Sequence, residues 1–223
     1  MAYIEFKNIN LTFQTKTQRI PVFHDFNLSI EQGVFVVIHG ASGKGKSTLL
    51  NLIAGLVRPD SGEICVDGQN INQFNDKELC IYRNKRIGYI FQSFHLIPEF
   101  HLVDNVAVPL RMSKINKKQA AMQAAEALRS VNMGHRLKEY PVTLSGGEQQ
   151  RTACARALIN KPSIILADEP TGNLDRQTGE MVLDIMRKAQ RELGTTIVCV
   201  SHDPRIIEQG DIQTDIETYT QIK

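Results

Sequence analysis

The segment that most limits how this 223-residue chain can fold is Gly40-Ala41-Ser42-Gly43-Lys44-Gly45-Lys46-Ser47, which fits G-x-x-x-x-G-K-[ST]. An all-apolar run, Val34 to Ile38, precedes it, the pattern of a strand buried on both faces of a parallel sheet. Leu49, Leu50, Ile53 and Leu56 follow at helical spacing and predict a helix from about Lys46 to Leu56. Glycines between a strand and a helix let successive backbone N–H groups face a phosphate, and the helix start adds about half a positive charge. Lys46 is expected to reach the β- and γ-phosphates and the Ser47 hydroxyl to bind Mg²⁺. Lys44 adds a second cation to the loop and is read as pointing to water.

The rest of the chain extends an α/β pattern on both sides of this loop. Ile4 and Phe6, then Ile9, Leu11 and Phe13, then Phe26, Leu28 and Ile30 alternate as antiparallel strands. Asp67-Gly68 is a two-residue hairpin signal between Ile64–Val66 and Gln69–Ile71. Ile87 to Phe91 is a further strand ending on Gln92. From there to about Asn160 helix signals dominate, including a stripe of Ala121, Ala124, Leu128 and Val131 capped by Asn116 and ended by Gly134. Strand and helix then alternate again: Ile164–Ala167, a helix over Thr178–Leu193 stopped by Gly194, the strand Thr195–Val200, and a period-2 edge strand over Ile212–Ile222.

Composition removes several function classes. Twenty-six Lys and Arg against 24 Asp and Glu leave no global basic excess for nucleic acid or an anionic membrane. No apolar run approaches the roughly 18 residues of a spanning helix, and the first residues lack the charged and apolar regions of a secretory signal. Cys65, Cys80, Cys154 and Cys199 lie far apart and read as reduced thiols of a cytosolic protein.

Three strand ends carry candidate chemistry. Asp168 follows a buried strand, where α/β sheets put ligand-binding groups, and can hold Mg²⁺ directly or through water. Glu169 is the candidate to orient and deprotonate an attacking water, a role contributing about 10²- to 10⁴-fold in rate. Gln92 offers Mg²⁺ an amide oxygen, and His202 offers a donor near a γ-phosphate. Leu144-Ser145-Gly146-Gly147-Glu148, at a helix start, is a second anion cradle that one nucleotide in one chain does not need.

GASGKGKS, Gln92, LSGGEQQR, ILADEP, Asn173-Leu174-Asp175 and His202, in this order, resemble the ATP-binding subunit of an ATP-binding cassette (ABC) transporter over nearly the whole chain. The resemblance implies an α/β P-loop NTPase fold: a mixed RecA-like core, an N-terminal antiparallel β subdomain and a helical subdomain. Residues 1–223 would be one ABC ATP-binding domain, with 1–92 and 161–223 as core and β subdomain and 93–160 as helical subdomain. It implies ATP and Mg²⁺, with Lys46, Ser47, Gln92, Asp168, Glu169 and His202 at nucleotide, magnesium and catalytic positions. Gly40, Ser42, Gly43, Lys44, Gly45 and Thr48 fall within the nucleotide loop, and Phe13 matches the aromatic that stacks on adenine. A second copy of the chain would pair head to tail, with Ser145 and Gly147 completing the partner's site and Asp175 in the loop linking the two sites. This accounts for the second cradle.

LADEPTGNLD and the stretch Arg86–Leu110 are similar to the bacterial branch of lipoprotein-release, macrolide-export and cell-division ATPases. That branch implies a cytoplasmic subunit held at the inner membrane by a permease with few transmembrane helices and a large periplasmic domain, and no nucleic-acid partner. The alternative within it is a mechanotransmission or signalling ATPase of the cell-division kind, with no exported substrate. Phe94, Leu96, Ile97, Phe100 and Leu102 would either meet the permease or form the core of the insert. Lys44 departs from the usual Ser, Thr152 and Cys154 from the usual apolar residues, and the stretch beyond His202 lacks the customary Asp-Gly hairpin and is short.

Overall fold

The computed structural model describes residues 2–216. The alternating N-terminal residues form two long antiparallel strands, β1 (Ile4–Gln14) and β2 (Arg19–Ile30). In β1 the buried set switches from even positions (Ile4, Phe6) to odd ones (Ile9, Leu11). The switch is made at Asn8, whose φ of 50° accompanies a register shift, so one extra residue inverts the faces. Asp25, φ 45°, does the same in β2 and lets both Phe23 and Phe26 reach the core. The two bulges are tied together: the Asn8 N–H donates to Asn27 Oδ1 at 3.0 Å, and the Asp25 N–H to Asn10 Oδ1 at 3.1 Å.

β4 (Ser61–Val66) and β5 (Gln69–Asn70) complete an antiparallel sheet of order β2-β1-β4-β5. The hairpin turn has the paired positive φ of type I′, 53° at Asp67 and 72° at Gly68. The second sheet takes β3 (Phe35–His39), β6 (Ile87–Ile90), β7 (Ile164–Asp168), β8 (Thr196–Val200) and β9 (Ile212–Asp215) in the order β6-β7-β8-β3-β9. All its pairs are parallel, so the expected mixture of strand directions is divided between two sheets.

Parity in the parallel sheet explains its all-apolar strands. Even residues of β3, β7 and β8 (Val36, Ile38, Ile164, Leu166, Val198, Val200) share a core with the antiparallel sheet and α1 (Lys46–Ile53). Odd residues (Phe35, Val37, Ile165, Ala167, Ile197, Cys199) pack with Val182 and Met186 of α6 (Arg176–Leu193). A third core joins α3 (Leu102–Met112), α4 (Lys117–Ser130) and α5 (Gly146–Leu158). Each fully buried Leu or Ile contributes about 1.5–3 kcal/mol relative to exposure.

Several boundaries differ from the sequence reading. α1 stops at Ile53, and Leu56 is 53% exposed, because the chain turns at Gly55 (φ 60°), where a Cβ would lie 2.6 Å from Leu79 Cδ2. In α4 Ala120, not Ala121, is on the buried stripe, and left-handed Asn132 rather than Gly134 turns the chain after the helix. α6 starts at Arg176, capped by Asp175, and β8 at Thr196. α2 (Asp76–Arg86) and α7 (Pro204–Gln209) are helices the apolar pattern did not reveal, since each buries only one or two side chains. β9 covers the first part of the expected edge strand, and its remainder beyond residue 216 lies outside the described residues.

Candidate active site

The ends of β3, β7 and β8, the turn before α1 and the β1–β2 ribbon enclose a cavity of about 610 Å³. The ribbon supplies Phe13, Ile20 and Val22, and Phe13 and Ile20 are a cross-strand pair with partly exposed side chains. The phosphate loop supplies Gly40, Ser42, Gly43, Gly45, Lys46, Ser47 and Thr48, and the strand ends supply Gln92, Asp168, Glu169, Val200 and His202. Gly40, Gly43 and Gly45 have φ of 132°, 80° and 87°, values that L side chains rarely adopt, which is why the curl needs glycine there. Lys46 Nζ donates to the carbonyls of Gly40 and Ala41, each at 2.8 Å, so the ammonium lies inside the curl. Lys44, between two left-handed glycines, is exposed and is not on the cavity wall.

Asp168 and Glu169 are consecutive, and strand alternation would send them to opposite faces. Asp168 continues the even face and accepts a hydrogen bond from Ser47. Glu169 turns back into the same cavity because its φ is 45°, a left-handed conformation costing a non-glycine residue roughly 1–2 kcal/mol. The Glu169 N–H still donates to Val200 O at 2.9 Å, holding the turn against β8. Its Oε1 is 2.8 Å from His202 Nδ1, and its carboxylate is largely buried while the imidazole is exposed. Burial pushes the Asp168 carboxyl above its ordinary value, the Ser47 bond and Lys46 charge pull it down, and Glu169 adds to the rise. One carboxylate, a hydroxyl and an amide suit a hard cation that completes its shell with phosphate and water. Among the described residues no group of three or more His, Cys, Asp or Glu could hold a metal.

Ser145 and Gly147 are not on this cavity's wall. Ser145 caps α5 in a reciprocal capping box with Glu148, whose carboxyl the Ser145 N–H holds below its ordinary value. Gly147 has no room for a side chain: a Cβ would lie 2.3 Å from Thr178 Cγ2. Thr178 in turn donates its hydroxyl to Asp175 Oδ2 at 2.7 Å and its N–H to Asp175 Oδ1 at 3.0 Å. The second glycine loop and the Asp175 loop are thus packed through Thr178.

Sequence reasoning missed this residue and three others. Gln150 reaches the strand-end loops from α5. Arg156 donates to the carbonyls of the left-handed pair Phe94 and His95 at 2.7 and 2.6 Å. Buried Asn105 is bonded to the backbone of Ile97 and Phe100. Leu102, expected as a possible contact with the permease, is fully buried among α3, α4 and α5 and cannot be one.

The family model described as ABC transporter matches residues 23–172, a span that includes both glycine loops and the Asp168–Glu169 turn. The chain belongs to the ABC transporter family. A relative described as the lipoprotein-releasing system ATP-binding protein LolD of Shewanella denitrificans is 44% identical over 88% of this chain and 84% of its own. YknY of Bacillus subtilis, described as an uncharacterized ABC transporter ATP-binding protein, is 43% identical over 92% of this chain and 89% of its own. A solved dimeric post-hydrolysis structure of the ATP-binding cassette MJ0796, bound to ADP and Pi, superposes with a TM-score of 0.89 at 38% identity, covering 95% of this chain and 93% of that one. The cassette is an ATP-hydrolysing subunit, and its two sheets and helices are those of an α/β P-loop ABC ATPase. Among the described residues no helix is long and apolar enough to cross a membrane.

Proposed function

We propose that this cassette powers a permease of the lipoprotein-release type, working as an ATP-sandwich homodimer on the cytoplasmic face of a bacterial inner membrane. The observation that carries the chemistry is the 2.8 Å contact between Glu169 Oε1 and His202 Nδ1 on the wall of the phosphate-loop cavity. Glu169 takes a proton from the attacking water, and His202 orients the carboxylate and faces the γ-phosphate. Lys46 leaves the Gly40 and Ala41 carbonyls for the β- and γ-phosphates. Phe13 stacks on the adenine, with Ile20 and Val22 as the apolar remainder of that wall.

Ser47, Asp168 and Gln92 would hold Mg²⁺, which when bound neutralises phosphate charge. The oxygen donors and the existing Ser47–Asp168 bond fit it. Ser145 and Gly147 serve the partner's nucleotide, and Asp175 links the two sites. Residues 93–160 act as the helical subdomain against the core formed by 1–92 and 161–223. Phe94, Leu96, Ile97 and Phe100, partly exposed on a loop that Asn105 and Arg156 pin in place, offer the permease its contact.

Mixing two inactive variants tests the sandwich. Lys46→Ala and Ser145→Arg each abolish turnover alone, whereas at equal mixing about a quarter of all sites are intact, one in each heterodimer. Recovery toward that fraction supports completion in trans, and no recovery at any ratio argues against it or requires both sites intact at once. Co-purification with a membrane subunit carrying a large periplasmic domain tests the transporter class, and a lone soluble dimer would count against it.

A further inference from the structure

Gln150 is wholly buried on α5, five residues after Ser145. Its Nε2 donates to Pro170 O at 2.7 Å and to Phe91 O at 3.3 Å. Pro170 follows Glu169 and Phe91 precedes Gln92, so one amide ties the backbone beside each of these groups to the helix of the second glycine loop. The two loops also abut: a Cβ on Gly172 would sit 3.2 Å from Gln92 Nε2 and 3.7 Å from Glu169 Cβ. Gln150 Oε1 is buried without a hydrogen-bond partner. Buried polar atoms are ordinarily paired, and a methionine would fill the same volume with no orphaned oxygen. Packing alone therefore gives no reason for an amide here, and what only the amide supplies is its pair of N–H donors.

We infer that Gln150 is a positioning residue that holds Gln92 and Glu169 in fixed relation to the second glycine loop. Closure of that loop on the nucleotide of the partner is then transmitted to both groups at the γ-phosphate. The inference rests on the roles proposed above for Gln92 and Glu169.

Gln150→Met removes both donors at nearly constant volume. A shift of the reacting groups by about 1 Å costs on the order of 10²-fold in rate. In the full-length protein kcat should fall by about that factor while the KM for ATP stays within about twofold, since no nucleotide-binding side chain is altered. Combined with Gln92→Ala, its cost should be less than multiplicative, because the part transmitted through Gln92 is already lost while the part through Glu169 remains. A kcat within about twofold of the parent, a loss shared equally between kcat and KM, or fully multiplicative losses would overturn the inference. Where Gln150→Met does not yield folded protein, Gln150→Glu, of equal length, turns acceptors toward both carbonyls and is held to the same split. Gln92→Ala and Glu169→Gln run in parallel separate the two ideas. Full turnover in those variants defeats the assigned roles, whereas their inactivity beside an unaffected Gln150→Met defeats the positioning role alone.

Discussion

Glu169 Oε1 and His202 Nδ1 meet at 2.8 Å although they leave different strands, β7 and β8, just beyond their paired ends. The carboxylate is largely shielded while the imidazole is open to solvent. Glu169→Gln keeps the shape and removes the proposed base. Phosphate release should drop by about 10²- to 10⁴-fold, while ATP remains bound and dimer accumulates on size exclusion. Unchanged phosphate release would remove Glu169 as the base.

Asp168 gives a pH-dependent prediction. A carboxyl whose folded value is raised holds its proton more tightly in the folded chain, so it costs stability as pH rises through that value and costs nothing below the unfolded one. Asp168→Asn should therefore raise the Tm of the nucleotide-free protein at pH 7. The gain should vanish below about pH 3.5. Thermal unfolding across a pH series reads both.

Gly147 packs against Thr178 and is proposed to bind the partner's nucleotide, and a second substitution separates the two roles. Gly147→Ala drives a methyl into Thr178 Cγ2 and should destabilise by about 1–3 kcal/mol. Adding Thr178→Ser deletes the opposing methyl but keeps the hydroxyl that bonds Asp175. Tm should largely recover in the double variant while ATP turnover stays low; recovered turnover would mean that Gly147 only packs.

At the ribbon, Phe13→Ala should raise the KM for ATP about tenfold, the loss of roughly 1–1.5 kcal/mol of stacking, and Phe13→Tyr should leave it near the parent value. Initial-rate kinetics over an ATP series distinguish these outcomes from a purely structural role, in which both variants would bind alike.

Lys44→Ser should keep kcat and KM within about twofold of the parent, because the side chain is exposed and off the cavity wall, where charge is strongly screened. A larger rise in KM would assign Lys44 to the phosphates.

Much of this was legible in the sequence because strand ends and a glycine loop announce themselves by pattern. Val34–Ile38 and Ile164–Ala167 read as two-sided strands, and the groups that follow them line the cavity. α2 escaped because its stability rests on the Asn75–Glu78 capping box and on Leu79 and Tyr82, and a hydroxyl bond from Tyr82 to Ile53 O leaves no trace in periodicity. Capping signals alone, Asn75-x-x-Glu78 and Asp203-Pro204, could have found α2 and α7. Thr178 and Gln150 escaped for another reason: their partners, Gly147 and the Phe91 and Pro170 carbonyls, are brought near only by the packing of α5 against α6 and the strand ends.

The left-handed backbone at Glu169 carries a consequence for mutation. Glycine at this position would relax the turn, so the change that removes the carboxylate proposed to act on water is also one that the backbone favours. A cassette whose turnover no longer mattered would drift downhill toward such residues.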